Sequence, residues 1–254
     1  MQLVHHTTTD AAELVELDRP EKRNALDADL SNALLEAVLA CRDRPRSLVV
    51  RSRMPGMFVA GADVDQLRRR TVEESLGRRN ARLFQAIAEH PYPTVAVVAG
   101  AALGGGCELA MACDLRISTA RAWWGLPEVR LGIVPSAGGL TRLTDLVGVG
   151  RARDLAFSGR RVRGTEAARL GLVEWVTDEV QDPDEAQAAL DALLGRVLDE
   201  LRPASMFAVR LAKEAMSVDG DRHRLVDAAA QALCIAQPDT QERLAAMLTR
   251  RSEG

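Results

Sequence analysis

Aromatic residues are scarce, with three Trp, one Tyr and four Phe among 254 residues. A core with so few rings must be filled by Ala, Val and Leu, and stacking on nucleobases would have few platforms. Lysine is scarcer still: Lys22 and Lys213 are the only two among 33 basic residues, the rest being arginine. Basic residues do not outnumber the 36 acidic ones, and the formal charge of −3 leaves no positive excess to draw the chain onto nucleic acid or an anionic membrane. The four cysteines, Cys41, Cys107, Cys113 and Cys234, contain no C-x-x-C pair, and His5, His6, His90 and His223 are not spaced with them as zinc ligands. Reduced thiols and no metal are expected. The start of the chain lacks a basic stretch followed by an apolar run, so no secretory signal is read and the cytoplasm is the expected location. The uncharged run at residues 94–107 is broken by Glu108, short of the roughly 20 residues a membrane-spanning helix needs.

What is present is an ordinary globular balance, 47% apolar and 27% charged, compatible with one large domain or two small ones. Residues 14–18 alternate like an edge strand and stop at Arg19-Pro20. Asp27 then stands where it can cap a helix running to about Arg42. Leu48-Val49-Val50 and residues 94–99 read as short buried strands. Between them, residues 58–63 form a loop, and residues 73–89 read as an amphipathic helix stopped by Pro91. A glycine-rich passage at 100–106 leads into a helix at 107–112 and a strand near 115–118; a second, at 132–139, leads into another helix. Beyond Pro183 the apolar spacing is helical at 185–201, 205–216 and 221–236, with no strand between. Residues 1–182 are therefore expected to form the body, and 183–254 a helical subdomain packing on the body or on a neighbouring subunit.

Two loops of small residues each run toward a helix: Ala60-Gly61-Ala62-Asp63 and Leu103-Gly104-Gly105-Gly106-Cys107-Glu108. Glycine lets a backbone approach a ligand closely, and the first amides of a helix have no internal partner, so such loops can hold a negatively charged oxygen. Taken alone, the triple glycine reads first as a tight strand-to-helix turn. Glu108 follows it amid Leu109, Ala110, Met111 and Ala112. Glu128 lies beside Pro127, again with apolar neighbours. Two carboxylates in one poorly solvated pocket would have their pKa values pushed apart, giving an acid and a base near neutral pH. For either glutamate in isolation the plainer alternative is an arginine partner for Glu108 and a helix-capping role for Glu128.

Several ordered motifs together resemble the crotonase, or enoyl-CoA hydratase/isomerase, family. They are residues 19–26 (RPEKRNAL), 58–63 (FVAGAD), 100–114 (GAALGGGCELAMACD), 127–135 (PEVRLGIVP) with Gly138-Gly139, Ser158-Gly159-Arg160 and 167–173 (AARLGLV). The resemblance implies an α/β fold, a spiral of stacked strand-strand-helix turns, with a helical C-terminal region that builds trimers, commonly paired into hexamers. It implies an acyl-CoA substrate, coenzyme A entering only as part of it, with no separate cofactor. The thioester oxygen would be held by the N–H groups of Ala62 and Gly105. Lys22, Arg23, Ala25, Ala60, Asp63, Val64, Gly104, Pro127 and Leu131 are the implied substrate contacts, Lys22 and Arg23 toward the phosphates.

Both acidic positions of the hydratase pattern are filled, which within the family favours hydration over double-bond isomerisation. Glu108 is implied to position and activate a water and Glu128 to deliver or receive the α-proton. Some isomerising or dehalogenating relatives have Asp after the proline, where this chain has Ser136. In the C-terminal stretch, where hydratases place a Phe and a basic residue toward a neighbour's CoA site, this chain has Met247 with Arg250 and Arg251. Arg68-Arg69-Arg70 is expected to be exposed. The acyl pocket is expected to be shaped by residues 64–83 and by Trp123 or Trp124, rings that read equally as core. A crotonase-like subunit that binds without turnover is the alternative from another functional class.

Overall fold

The computed structural model describes residues 2–61, 63, 68–69, 71, 73, 79–217 and 223–252. Among these, nine strands alternate with ten α-helices. The strands are β1 (Val4–Thr8), β2 (Ala12–Leu17), β3 (Ser47–Ser52), β4 (Thr94–Val98), β5 (Ala101–Leu103), β6 (Leu115–Ser118), β7 (Trp123–Gly125), β8 (Val162–Arg163) and β9 (Trp175–Val176). The helices of the body are α1 (Ala28–Ala40), α2 (Arg79–Ala88), α3 (Gly105–Ala112), α4 (Gly139–Val147), α5 (Val149–Ser158) and α6 (Gly164–Leu170). Four more follow: α7 (Pro183–Leu201), α8 (Met206–Met216), α9 (His223–Ile235) and α10 (Pro238–Ser252). No helix of the described residues is long and apolar enough to cross a membrane.

The large sheet runs β1-β2-β3-β4-β6-β9, parallel throughout except for the β1–β2 pair. A second sheet, β5-β7-β8, is extended by a bridge between Val59 and Ala102. The buried strands read as continuous apolar runs because both faces of the large sheet are covered. Successive side chains of a strand point to opposite faces. Leu48 and Val50 of β3, with Ala96 and Val98 of β4, accordingly pack with α1, α2 and α3. Val49, Val95 and Val97 face the other way, against Leu190, Leu193, Leu194 and Val197 of α7. That helix begins at Pro183, with the Asp182 carboxylate accepting from the Asp184 and Glu185 amides at 3.0 Å each.

Some sequence expectations need correction. The strand at 14–18 is not at an edge: β2 lies between β1 and β3. β1, with the sequence VHHTT, buries only Val4 fully and so carries no alternating apolar signal. The helix at 107–112 begins two residues earlier, at Gly105. Of the stretch 73–89 expected as a helix, Arg79–Ala88 is a helix, and residues 74–78 lie outside the described residues. The strands of two or three residues, β5, β7, β8 and β9, are too short to show any period.

Residues 19–26 form the turn that leads into α1. Pro20–Lys22 make one 3-10 turn, after which Arg23 and Asn24 adopt φ of 50° and 53°. Asn tolerates this left-handed region better than most residues. The buried Asn24 side chain accepts from the Arg19 amide at 2.8 Å and donates to the Phe58 carbonyl at 2.8 Å and to Ser52 Oγ at 3.0 Å. It thereby ties the turn to the loop at 58–63. Asn24→Ala leaves the buried Phe58 carbonyl and the half-buried Arg19 N–H without this partner and is expected to cost about 2–4 kcal/mol, read as a lower urea midpoint at unchanged m-value.

Candidate active site

The loop at 58–63 is strapped on both sides. Val59 donates to the Ala101 carbonyl at 3.0 Å and accepts from the Leu103 amide at 3.3 Å, which joins the loop to β5. On the other side Ala60 donates to Arg23 (3.2 Å), Leu26 to Gly61 (2.9 Å) and Asp63 to Leu26 (3.4 Å). Ala62 and Val64 lie outside the described residues. The chain leaves β5 through Gly104, at φ 53°, whose amide donates to the Gly125 carbonyl at 2.9 Å. Gly105 then opens α3, and its buried N–H has no hydrogen-bond partner among the described residues. Gly106 is pressed on the loop: an added Cβ would overlap the Val59 carbonyl. A free amide at a helix start is thus brought against the small-residue loop, the arrangement that can hold an oxyanion.

Glu108 stands in the first turn of α3 and is 4% exposed. Its Oε1 accepts from the amides of Ala137 (2.8 Å) and Gly139 (3.0 Å), in the second glycine-rich passage. Gly139 is required here because a Cβ would lie 2.6 Å from Glu108 Cγ. Burial holds the Glu108 pKa above the ordinary carboxylate value, and the two amides and the nearby Arg142 charge offset that rise only in part. Glu128, 9% exposed, lies in the 3-10 helix Pro127–Leu131. Its carboxylate overhangs Gly104, where a Cβ would meet Oε1 at 3.0 Å. Oε2 is buried with no hydrogen-bond partner among the described residues. Burial pushes the Glu128 pKa up to about 7; its own backbone amide opposes the rise and the Glu108 charge adds to it. The two acids are therefore both poorly solvated, near enough for the charge of Glu108 to act on Glu128, and inequivalent. Two main-chain amides brace Glu108, with Arg142 nearby as a charge, and Glu128 belongs to a helical first turn yet keeps an unpartnered oxygen.

The remaining sequence-derived contacts are distributed around this centre. Lys22 is exposed, with Nζ 3.2 Å from the carboxylate of buried Asp63; Arg23 is exposed beside it. Ala25 and Gly104 are buried, Ala60 and Pro127 half-buried, and Leu131 is 64% exposed. The tryptophans divide. Trp124 is wholly buried and donates to Ser118 Oγ at 3.0 Å, so it is core. Trp123 lies under the Arg163 guanidinium, 3.5 Å from its carbon, in a cleft of about 350 Å³ that shares no lining residue with the glutamates. Neither ring is placed as a wall of the glutamate site. Arg68 and Arg69 are exposed, whereas Arg70 and the side chains of Met247, Arg250 and Arg251 lie outside the described residues.

Ala137, Gly139 and Arg142 escape a reading based on side-chain chemistry, since two of them act through main-chain N–H. Their one signal is the second glycine-rich passage. The fold also joins residues that spacing separates: His6, Glu13 and Cys41 present ligand-type atoms within 4.8 Å of one another. Thr8 donates to the same Glu13 carboxylate, and Arg44 and Arg46 pair with it, so its charge is already answered.

Comparison with known proteins agrees with this architecture. The chain is 37% identical over 239 residues to a crotonyl-CoA hydratase of Syntrophomonas wolfei, covering 92% of this chain and 90% of the relative. It is 39% identical over 247 residues to the human mitochondrial enoyl-CoA hydratase domain-containing protein 2, covering 93% and 82%. Among solved structures, an enoyl-CoA hydratase from Bacillus anthracis superposes with a TM-score of 0.89 at 31% identity, over 98% of this chain and 97% of that one. The crotonase fold expected from the motifs is therefore the fold observed. A family model described as enoyl-CoA hydratase/isomerase matches residues 7–248, and the chain belongs to that family.

Proposed function

We propose that the protein is an enoyl-CoA hydratase, adding water reversibly across the 2,3 double bond of a trans-2-enoyl-CoA. The observation that carries this reading is the pair of inequivalent buried carboxylates beside a free helix-start amide. Ionised Glu108 accepts a proton from a water held between the two acids, and the water oxygen bonds to the β-carbon. The electron pair of the double bond moves into the thioester, forming an enolate whose oxygen is held by the Gly105 N–H and, by family resemblance, that of Ala62. A removed oxyanion donor of this kind typically costs roughly 2.7–4 kcal/mol of transition-state stabilisation. Protonated Glu128 then gives its proton to the α-carbon as the enolate collapses. With a pKa of about 7, Glu128 holds that proton below neutrality and still carries it in about half of the molecules at pH 7.

Coenzyme A enters as part of the substrate, with no metal or redox cofactor. Lys22 and Arg23 face its phosphates, while Ala25, Ala60, Asp63, Gly104, Pro127 and Leu131 border the acyl-thioester, with Val64 assigned there by family resemblance alone. The assembly is a homotrimer or a dimer of trimers built by the helical C-terminal region. The relatives named for crotonyl-CoA and methylglutaconyl-CoA hydration make short enoyl thioesters the first substrates to try. Purified protein is expected to bleach the conjugated-thioester absorbance of crotonyl-CoA. No loss at micromolar enzyme with crotonyl-CoA and longer enoyl-CoAs would overturn hydration. Movement of the double bond without water uptake would mark an isomerase, and tight acyl-CoA binding without turnover a silent subunit.

A further inference from the structure

Arg142 sits in the first turn of α4, with its side chain folded back over the loop before that helix. Nη1 donates to the Ala137 carbonyl at 3.0 Å, and only the lack of a side chain at Gly138 admits the guanidinium there. Ala137 is thus held at both main-chain groups, its N–H by Glu108 Oε1 and its carbonyl by Arg142. The neighbouring Gly139 amide completes the grip on the same carboxylate oxygen. The half-buried guanidinium forms no ion pair with Glu108, yet its charge lies near enough to favour the ionised carboxylate.

We propose, on the strength of the hydratase reading above, that Arg142 is a positioning residue of this site. By fixing the Ala137 carbonyl it holds two amides on Glu108, and its charge keeps Glu108 the ionised member of the carboxylate pair. The other groups around Glu108 do not supply that charge. Glu128 from the 3-10 helix is acidic. The Cys107 thiol of α3 and the Cys113 thiol that adjoins Arg142 are pushed up to about 12 by burial and stay neutral. Arg116 of β6 is tied to Glu174, and the buried residues of α2 are Leu83, Phe84 and Ile87. Without a positive neighbour, a buried carboxylate holds its proton to higher pH.

The test compares Arg142→Gln, Arg142→Met and Arg142→Lys with the wild type, following crotonyl-CoA hydration from about pH 5 to about pH 9 and carboxyl-carbon NMR of Glu108, its resonance identified by Glu108→Gln. The two neutral variants are expected to lose about 10- to 100-fold in kcat with KM within about threefold. The acid limb of kcat/KM and the Glu108 titration are expected to move up together by about one pH unit. Arg142→Lys is expected to leave both near their wild-type positions, with kcat lowered no more than about tenfold. Lost kcat with an unmoved acid limb and unmoved titration would make Arg142 merely structural and overturn the proposal, as would wild-type kcat in the neutral variants. If the neutral variants fail to fold, the wild-type titration decides: a Glu108 midpoint below that of Glu128 supports the role and one at or above it overturns it. A wild type inert toward crotonyl-CoA and longer enoyl-CoAs defeats the hydratase reading, and the Glu108 titration then judges Arg142 independently.

Discussion

Glu108→Gln and Glu128→Gln are each expected to lower kcat for crotonyl-CoA hydration by at least about a hundredfold, with the folded structure intact. Gln preserves the shape of either side chain and removes its ability to exchange a proton. The pair acts as one unit, so the double variant is expected to be little worse than the poorer single variant. Activity that survives both changes would place the chemistry elsewhere. The two substitutions are expected to part company in stability. Glu128 keeps its proton up to about pH 7 in the folded protein, against 4.5 when unperturbed. The Glu128 contribution to stability is therefore fullest below 4.5 and is lost as pH rises through 7, because the folded state alone must then carry a buried, poorly partnered charge. A shift of this size corresponds to roughly 3 kcal/mol. Glu128→Gln removes that penalty and is expected to raise Tm clearly at about pH 8 and little at about pH 5. Glu108→Gln gives up a charged acceptor of two amides, and no comparable gain is expected. A Glu128→Gln variant with the same Tm difference at both pH values would contradict the burial argument.

Gly106→Ala is expected to destabilise the protein by at least about 3 kcal/mol and to abolish most activity, although it adds a single methyl group in a helix. The new carbon overlaps the backbone carbonyl of Val59, which cannot swing away as a side chain could. To make room, α3 must separate from the loop at 58–63. The Val59–Ala101 and Leu103–Val59 hydrogen bonds then weaken, and the Gly105 amide leaves its place beside that loop. Urea denaturation and crotonyl-CoA kinetics on one preparation read both effects. Gly195→Ala is the control, since it lies exposed within α7 with nothing within 4 Å of the added carbon. There the better helix propensity of Ala is expected to add up to about 1 kcal/mol. A Gly106→Ala variant as stable as Gly195→Ala would show that the helix–loop contact is slack.

Much of this molecule is readable before folding, for identifiable reasons. Val49, Val95 and Val97 announce buried strands because both faces of their sheet are covered, so residues 48–50 and 95–98 are continuous apolar runs. Asp27 is a legible cap, its carboxylate accepting from the Leu30 amide at 2.9 Å. Glu108 and Glu128 stand out as acids in apolar company. The pattern fails where signals are short or borrowed. The three-residue strands β5 and β7 have no period to detect, yet they set the positions of Gly104 and Gly125. The indole of Trp124 looks the same in sequence whether it lines a pocket or fills a core, and burial alone separates it from Trp123.

The order of residues by itself determined the family, the strand-and-helix layout of the body and which two acids to suspect, because periodicity, capping and glycine loops are local properties. Tertiary structure alone decided what those acids are. Their inequality arises from amides of Ala137 and Gly139 reaching one carboxylate across 29 and 31 positions of chain while the other is left short of donors. Proton affinity is a property of surroundings, and for a buried group those surroundings are assembled by folding.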